Sequence, residues 1–296
     1  MTAPFIAVDW GTTSFRAYHV GGDGAVLDER KSSDGILAVG NGAFEDALEQ
    51  HLRGWDTALP VLAAGMITSR QGWVEVPYVD CPAGPGELAS AIVTRKLASG
   101  RAVHFVTGLH TKSESLGHDV MRSEETQVFG SLSSGATHFV TPGTHSKWID
   151  VVDGRIVRFE TYVTGESFAA YRNHTILGRL MDGDGDDRAA FERGVAKAFA
   201  HPAGLLHSLF SVRSLGLYGE LPPVALSSYL SGLLIGTEVA HATRNRAGGA
   251  YLVLASPAIA ERYLRAMHMA GLKAEMGDSL AIVAGERLIA QSAGII

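Results

Sequence analysis

Cysteine is almost missing from this chain: Cys81 is the single one in 296 residues. No intrachain disulfide can form, as expected of a protein kept in a reducing, cytoplasmic compartment. Runs of lysine and arginine are missing too. Basic residues number 25 against 31 acidic ones, for a formal net charge of −6. A chain with that balance offers no electrostatic footprint for nucleic acid. The opening segment, MTAPFIAVDW, has neither a basic leader nor a long apolar run, and Asp9 interrupts it. Neither a signal peptide nor a membrane span is expected. Several chemical signatures are absent as well. There is no G-x-x-x-x-G-K-[ST], no G-x-G-x-x-G behind a strand and no H-E-x-x-H, and the 12 histidines are scattered without ligand spacing. P-loop, dinucleotide-binding and zincin chemistry are therefore excluded. The acidic run Asp182 to Asp187 imitates the start of an EF-hand. It fails because Asp187 stands where glycine is needed and Arg193 where the bidentate glutamate is needed. Gly165-Glu166-Ser167-Phe168-Ala169 lacks the second glycine of a nucleophile elbow and reads as a helix start.

What is present begins with Ile6 to Tyr18, IAVDWGTTSFRAY. An apolar run ends in Asp9, a polar turn Gly11-Thr12-Thr13-Ser14 follows, and a second alternating run begins at Phe15. A carboxylate at the end of a strand can hold Mg2+, and a Gly-Thr turn can donate amides and hydroxyls to phosphate. An ordinary β-hairpin reads equally well from this stretch alone. With 46% hydrophobic residues, the chain is long enough for roughly two domains.

Further along, Ala25 to Leu27 completes a three-strand meander. Helical spacing runs from Phe44 to Trp55, and Pro60 to Ala64 is a buried strand. Leu88 to Leu97 reads as a helix, Val103 to Val106 as a strand, and the segment from Thr107 to Glu125 as a polar loop. Thr126 to Leu132 is a short helix. The order then restarts. Phe139 to Thr141 is followed by Pro142-Gly143-Thr144-His145-Ser146-Lys147 and two further strands around Asp153-Gly154. Gly11, Thr12 and Ser14 match Gly143, Thr144 and Ser146 at one constant spacing, in the same strand-turn-strand context. An internal duplication is the better reading, with a boundary near Ser133 to Gly135. Later come helices around Phe168 to Leu180, Ala189 to Phe199, Leu205 to Val212 and Ser227 to Thr243. Tyr251 to Ala255 is a strand leading into a helix begun by Pro257. Leu280 to Val283 reads as a last strand, with a helix opening at Gly285. The sum is a mixed α/β architecture.

Five segments carry a resemblance across essentially the whole chain: VDWGTTSFRAY, AGMITSRQGWVEVPYVDCPAG, GLHTKSESLGHDVMRSEETQVFG, PGTHSKW and LSGLLIGTEVA. They resemble the sugar kinase, heat-shock ATPase and actin superfamily, and within it the 2-dehydro-3-deoxygalactonokinase family. That resemblance implies two similar ribonuclease H-like lobes, each a mixed sheet with a three-strand meander plus helices, and a nucleotide cleft between them. Residues 1–133 would hold the sugar acid and the first phosphate motif. Residues 134–296 would hold the second phosphate motif and adenosine. The implied reaction is ATP-dependent phosphorylation of the 6-hydroxyl of 2-dehydro-3-deoxy-D-galactonate in galactonate catabolism. A kinase for a related sugar or sugar acid, or a nucleotide-dependent switch of the same superfamily, are the alternatives.

Under this resemblance Asp9 positions Mg2+. Gly11, Thr12, Thr13, Gly143, Thr144, His145, Ser146 and Lys147 surround the ATP phosphates, and Ser256 marks the adenosine side. The usual catalytic aspartate falls on Ser123, so the proton acceptor is sought next to it: Glu124 first, then Glu125 and Asp119. Ser123 itself reads as a helix N-cap. A carboxylate substrate calls for a cation. Arg70 is the first choice and Arg122 the second, with Ser69 and Trp73 beside them. The expected partners are ATP and the sugar acid, with a homodimer left open.

Overall fold

The computed structural model describes residues 2–113, 117–183, 185–244, 246 and 248–296, apart from the Asn41 side chain. The chain divides into two compact units. The first takes the residues up to Gly135 together with Asp150–Phe159 and Asp278–Ile296; the second takes Ala136–Ile149 and Glu160–Gly277.

In the first unit, strands β1 (Phe5–Trp10), β2 (Phe15–Val20) and β3 (Val26–Ser32) form an antiparallel meander. Helix α1 (Phe44–His51) follows, then β4 (Val61–Ala64), which lies parallel to β1. Strand β5 (Val79–Asp80) and helix α2 (Pro85–Ser90) precede β6 (Val93–Lys96) and β7 (Ala102–Phe105). The resulting sheet has the order β3-β2-β1-β4-β7-β6. Strand β1 lies inside it, which is why Phe5, Ile6, Ala7 and Val8 are all apolar and buried. Both outer strands, VLDERKS and VTRK, are rich in charge. On one face Trp10, Phe15, Phe44, Leu48, Trp73 and Phe105 build a core. Strands β8 (Leu109–Ser113) and β9 (Gly117–Met121) form a hairpin that joins β5 in a separate three-stranded sheet.

Helix α3 (Glu124–Gly130) closes this first stretch of chain. It packs on the last helix of the molecule, and the crossing is made by glycines. A Cβ on Gly130 would lie 1.8 Å from the Ala281 carbonyl, and one on Gly285 would lie 1.8 Å from the Thr126 carbonyl.

The second half of the chain repeats the plan. Strands β10 (His138–Thr141), β11 (Ser146–Val152) and β12 (Arg155–Tyr162) come first, then helices α4 (Thr164–His174), α5 (Arg188–Ala200), α6 (Leu205–Leu217) and α7 (Pro223–Ala242). Strand β13 (Tyr251–Val253), helix α8 (Pro257–Met269) and strand β14 (Ala274–Met276) follow, and α9 (Ala281–Ser292) returns to the first unit. The sheet order is β12-β11-β10-β13-β14, with β10, β13 and β14 mutually parallel. It matches β3-β2-β1-β4-β7, the internal repeat expected from the two GT turns.

Four readings of local structure are corrected. The segment Leu88 to Leu97 holds a helix only to Ser90 and then edge strand β6, whose β-branched Val93 and Thr94 pair antiparallel with β7. The polar loop after Thr107 contains the β8–β9 hairpin, while Glu114, Ser115 and Leu116 lie outside the described residues. Leu280 to Val283 belongs to the start of α9, and the strand before it is β14. Helix α1 stops at His51, so Trp55 follows the helix and donates from Nε1 to Asp28 at 2.9 Å.

Replacing Gly285 with Leu should overpack the α3–α9 crossing by about 2–3 kcal/mol, lowering Tm by roughly 5–10 °C. A thermal melt followed by circular dichroism checks it; an unchanged Tm would mean that the helices separate at little cost.

Candidate functional site

The first GT turn is closed by the Gly11 amide donating to the Ser14 carbonyl at 2.9 Å. The next loop holds it from behind: Ile36 N donates to Gly11 O at 3.0 Å and Leu37 N to Thr12 O at 3.3 Å. Gly35 permits this, since a Cβ there would lie 2.3 Å from both Thr12 O and Thr13 N. Trp10 anchors the same loop by donating from Nε1 to Asp34 O at 3.0 Å. Thr12 and Thr13 are left exposed.

Asp9 precedes this turn, its side chain 18% exposed. Ser123 Oγ donates to Asp9 Oδ1 at 3.2 Å, and Arg16 stands 3.8 Å from Oδ2. Burial raises the Asp9 carboxyl above its ordinary value, with Arg16 and Ser123 pulling the other way. A single partly open carboxylate is an oxygen donor of the kind Mg2+ accepts when water and phosphate complete its shell, so Asp9 fits the ion. Gly65, at φ +98°, brings its backbone against Asp9, where a Cβ would lie 2.8 Å from Trp10 O.

Ser123 does stand at the N-cap position of α3, but it does not cap. Its φ is +93°, no side-chain capping bond forms, and its hydroxyl goes to Asp9 instead. A non-glycine residue at that φ is strained, and such strain gathers at functional places. The capping is done by the glutamates. Glu125 Oε1 accepts from Ser123 N at 3.0 Å and Glu124 Oε2 accepts from Arg122 N at 2.8 Å. Glu125 is wholly buried, while Glu124 is partly exposed. Asp119 lies on β9, where Oδ1 accepts from Val120 N at 2.8 Å.

The two candidate arginines differ. Arg122 is used internally: its guanidinium donates to Thr68 O and Oγ1 at 2.6 Å and to Val76 O at 3.3 Å, and lies 4.2 Å over the Tyr78 ring. Arg70 is exposed. Ser69 turns its hydroxyl back to Met66 O at 2.7 Å, and Trp73 packs on Phe44 and Phe105.

In the second unit the GT turn is clasped by α4. Glu166 N donates to Thr144 O at 3.0 Å, and the His145 ring nitrogen Nε2 pairs with Glu166 Oε2 at 2.7 Å. Gly143 lines a cavity of about 260 Å³. Thr164, Phe168, Leu234, Ile259 and Tyr263 are among its other walls. Ser256 is the exposed N-cap residue of α8, the helix that supplies Ile259 and Tyr263. Ser146 faces inward, where its hydroxyl pairs with Tyr263 at 2.7 Å. Lys147 is buried, not solvated, and donates from Nζ to Thr161 at 2.9 Å.

Sequence reasoning missed Glu238, Tyr263 and Glu286. Glu238 is the only Asp, Glu, Lys or Arg in α7, PVALSSYLSGLLIGTEVAHA, and a lone charge in an apolar helix must find partners. Glu286, buried in α9, accepts from Val8 N at 3.1 Å.

Burial, reinforced by Glu124, pushes the Glu125 carboxyl from its ordinary 4.5 up to about 7. Its contribution to stability is therefore complete below pH about 4.5 and is lost as pH rises through about 7. Glu125→Gln, neutral throughout, should flatten the fall in stability between about pH 5 and about pH 8. Urea unfolding at both pH values measures it; an unchanged slope would show that Glu125 does not titrate there.

The family model for 2-keto-3-deoxy-galactonokinase matches residues 9–288. A probable 2-dehydro-3-deoxygalactonokinase of Rhizobium meliloti is 38% identical over 246 residues, 80% of each chain. The 2-dehydro-3-deoxygalactonokinase of Escherichia coli is 34% identical over 297 residues, 99% of each chain. A crystal structure from Sinorhizobium meliloti, provisionally assigned as a 2-dehydro-3-deoxygalactonokinase, superposes with a TM-score of 0.89 at 34% identity, covering 97% of this chain and 98% of that one. Matched from Asp9 into the last helix, the chain belongs to the 2-keto-3-deoxy-galactonokinase family.

Proposed function

We propose that the protein transfers the γ-phosphoryl group of ATP to the 6-hydroxyl of 2-dehydro-3-deoxy-D-galactonate. The observation that carries this reading is the family match over residues 9–288, supported by two GT turns in equivalent places of two equivalent sheets.

Phosphoryl transfer requires alignment, charge neutralisation and a proton acceptor. Asp9 holds Mg2+, which when bound neutralises charge on the phosphates. Thr12 and Thr13 of the first GT turn are exposed donors suited to phosphate oxygens, and Gly143, Thr144 and His145 of the second GT turn are donors of the same kind. Glu166 keeps His145 in place. Ser146 and Lys147 serve the turn from beneath, since both side chains are bonded internally. The apolar cavity beside Gly143 accepts the flat adenine ring, with Ser256 at the head of the helix that walls it.

Glu124 takes the proton of the sugar hydroxyl, because it is the partly exposed member of the pair while Glu125 is sealed in. Ser123, strained at φ +93°, links the start of this helix to Asp9, while the Glu124 carboxylate accepts from the neighbouring Arg122 N. Arg70 binds the substrate carboxylate, and Arg122 fixes the loop that carries Thr68, Ser69 and Arg70.

Glu124→Gln should lower kcat by about 100-fold or more while sparing ATP affinity. Steady-state assays coupled to ADP release decide it, and near-normal turnover would move the role to Glu125. In the same assay Arg70→Ala should raise KM for the sugar acid by about tenfold with KM for ATP unchanged. An unchanged KM for the sugar acid would remove Arg70 from the substrate site.

A further inference from the structure

Inside the second unit, one carboxylate gathers donors from several elements. Glu238, on α7, is 2% exposed. Its Oε1 accepts from Trp148 Nε1 at 2.7 Å. Its Oε2 accepts from the Tyr263 hydroxyl at 2.7 Å and from Ser146 Oγ at 3.3 Å. Ser146 and Tyr263 are themselves 2.7 Å apart. The Thr164 side chain, at the start of α4, also favours the charged form of Glu238. All these groups except Thr164 are buried.

The partners are what give this cluster meaning. Ser146 ends the second GT turn, and Trp148 continues the strand behind it. Thr164 stands beside Gly165 and Glu166, which clasp the back of that turn: a Cβ on Gly165 would lie 2.3 Å from Gly143 O, and Glu166 N donates to Thr144 O. Tyr263 and Thr164 also line the cavity beside Gly143. One buried carboxylate thus joins the phosphate turn, the helix start that supports it and the helix that walls the cavity.

We propose that Glu238 is a positioning residue for the nucleotide: through Ser146, Tyr263 and Thr164 it fixes the second GT turn and the cavity wall in their binding arrangement. A buried network of this kind is rigid only while every member is satisfied. Burial holds the Glu238 carboxyl above its ordinary value, and the four side-chain donors oppose that rise. Oε1 relies on Trp148, whereas Oε2 keeps Ser146 when Tyr263 loses its hydroxyl, so that change loosens the network without orphaning a buried oxygen. The inference rests on the kinase reading for the identity of the ligand.

The experiment is equilibrium binding of ADP to the full-length protein without sugar acid, together with Tm. Wild-type protein should bind ADP. Tyr263→Phe removes one hydroxyl and keeps the ring in the core. It should weaken ADP binding by about tenfold while Tm changes little. Glu238→Ala should weaken it further, and Glu238→Gln, which keeps an acceptor for Trp148, should recover most of the loss. KM for the sugar acid should stay the same in Tyr263→Phe. A merely structural cluster would lower Tm in proportion and leave the ADP affinity of the folded protein alone; that result, or unchanged ADP affinity in Tyr263→Phe, overturns the proposal. If wild-type protein binds no ADP, the kinase reading falls, and this inference falls with it.

Discussion

The first unit depends on a single electrostatic constraint: a carboxylate must end a strand that is otherwise apolar. Ile6 and Val8 can be buried because β1 is flanked by β2 and β4, and their burial fixes where Asp9 emerges. Desolvation disfavours the charge there. The surroundings answer with small, directed concessions: a serine hydroxyl at 3.2 Å, an arginine at 3.8 Å and a glycine that lets the backbone come close. None of them outweighs the burial, and the carboxyl stays above its ordinary value.

The two units solve the same loop problem with different materials. In the first, the Gly11 turn is held by backbone bonds from Ile36 and Leu37, and its threonines stay outside. In the second, the equivalent turn is held by α4 behind it and by a side-chain network beneath it. Ser14 and Ser146 occupy matching places, yet only Ser146 has its hydroxyl tied to a buried carboxylate. A duplicated sequence therefore did not keep duplicated roles. The backbone plan was retained while the side chains diverged.

Much of this was legible in the sequence. The repeated GT turns, the meanders and the long apolar helix α7 were each found from spacing, because strand and helix periods are set by local geometry. The failures were also physical. Edge strand β6 reads as helix in the sequence because its pattern carries no period-2 signal: all four residues are exposed. The β8–β9 hairpin reads as a loop because its composition is polar. The α9 start reads as a strand because four residues cannot separate the two periods. At the site, the residue types were legible but their directions were not. Nothing in the letters of Arg122 says that its guanidinium turns inward to Thr68, nor does Ser123 announce that it reaches Asp9 across 114 positions.

The charged margins of the six-stranded sheet have a consequence of their own. At its two borders, β3 presents Asp28, Glu29, Arg30 and Lys31, and β6 presents Arg95 and Lys96. A foreign strand approaching either border would have to strip water from those groups before finding any backbone partner. Charge along both borders is the feature by which a sheet discourages edge-to-edge pairing with another strand.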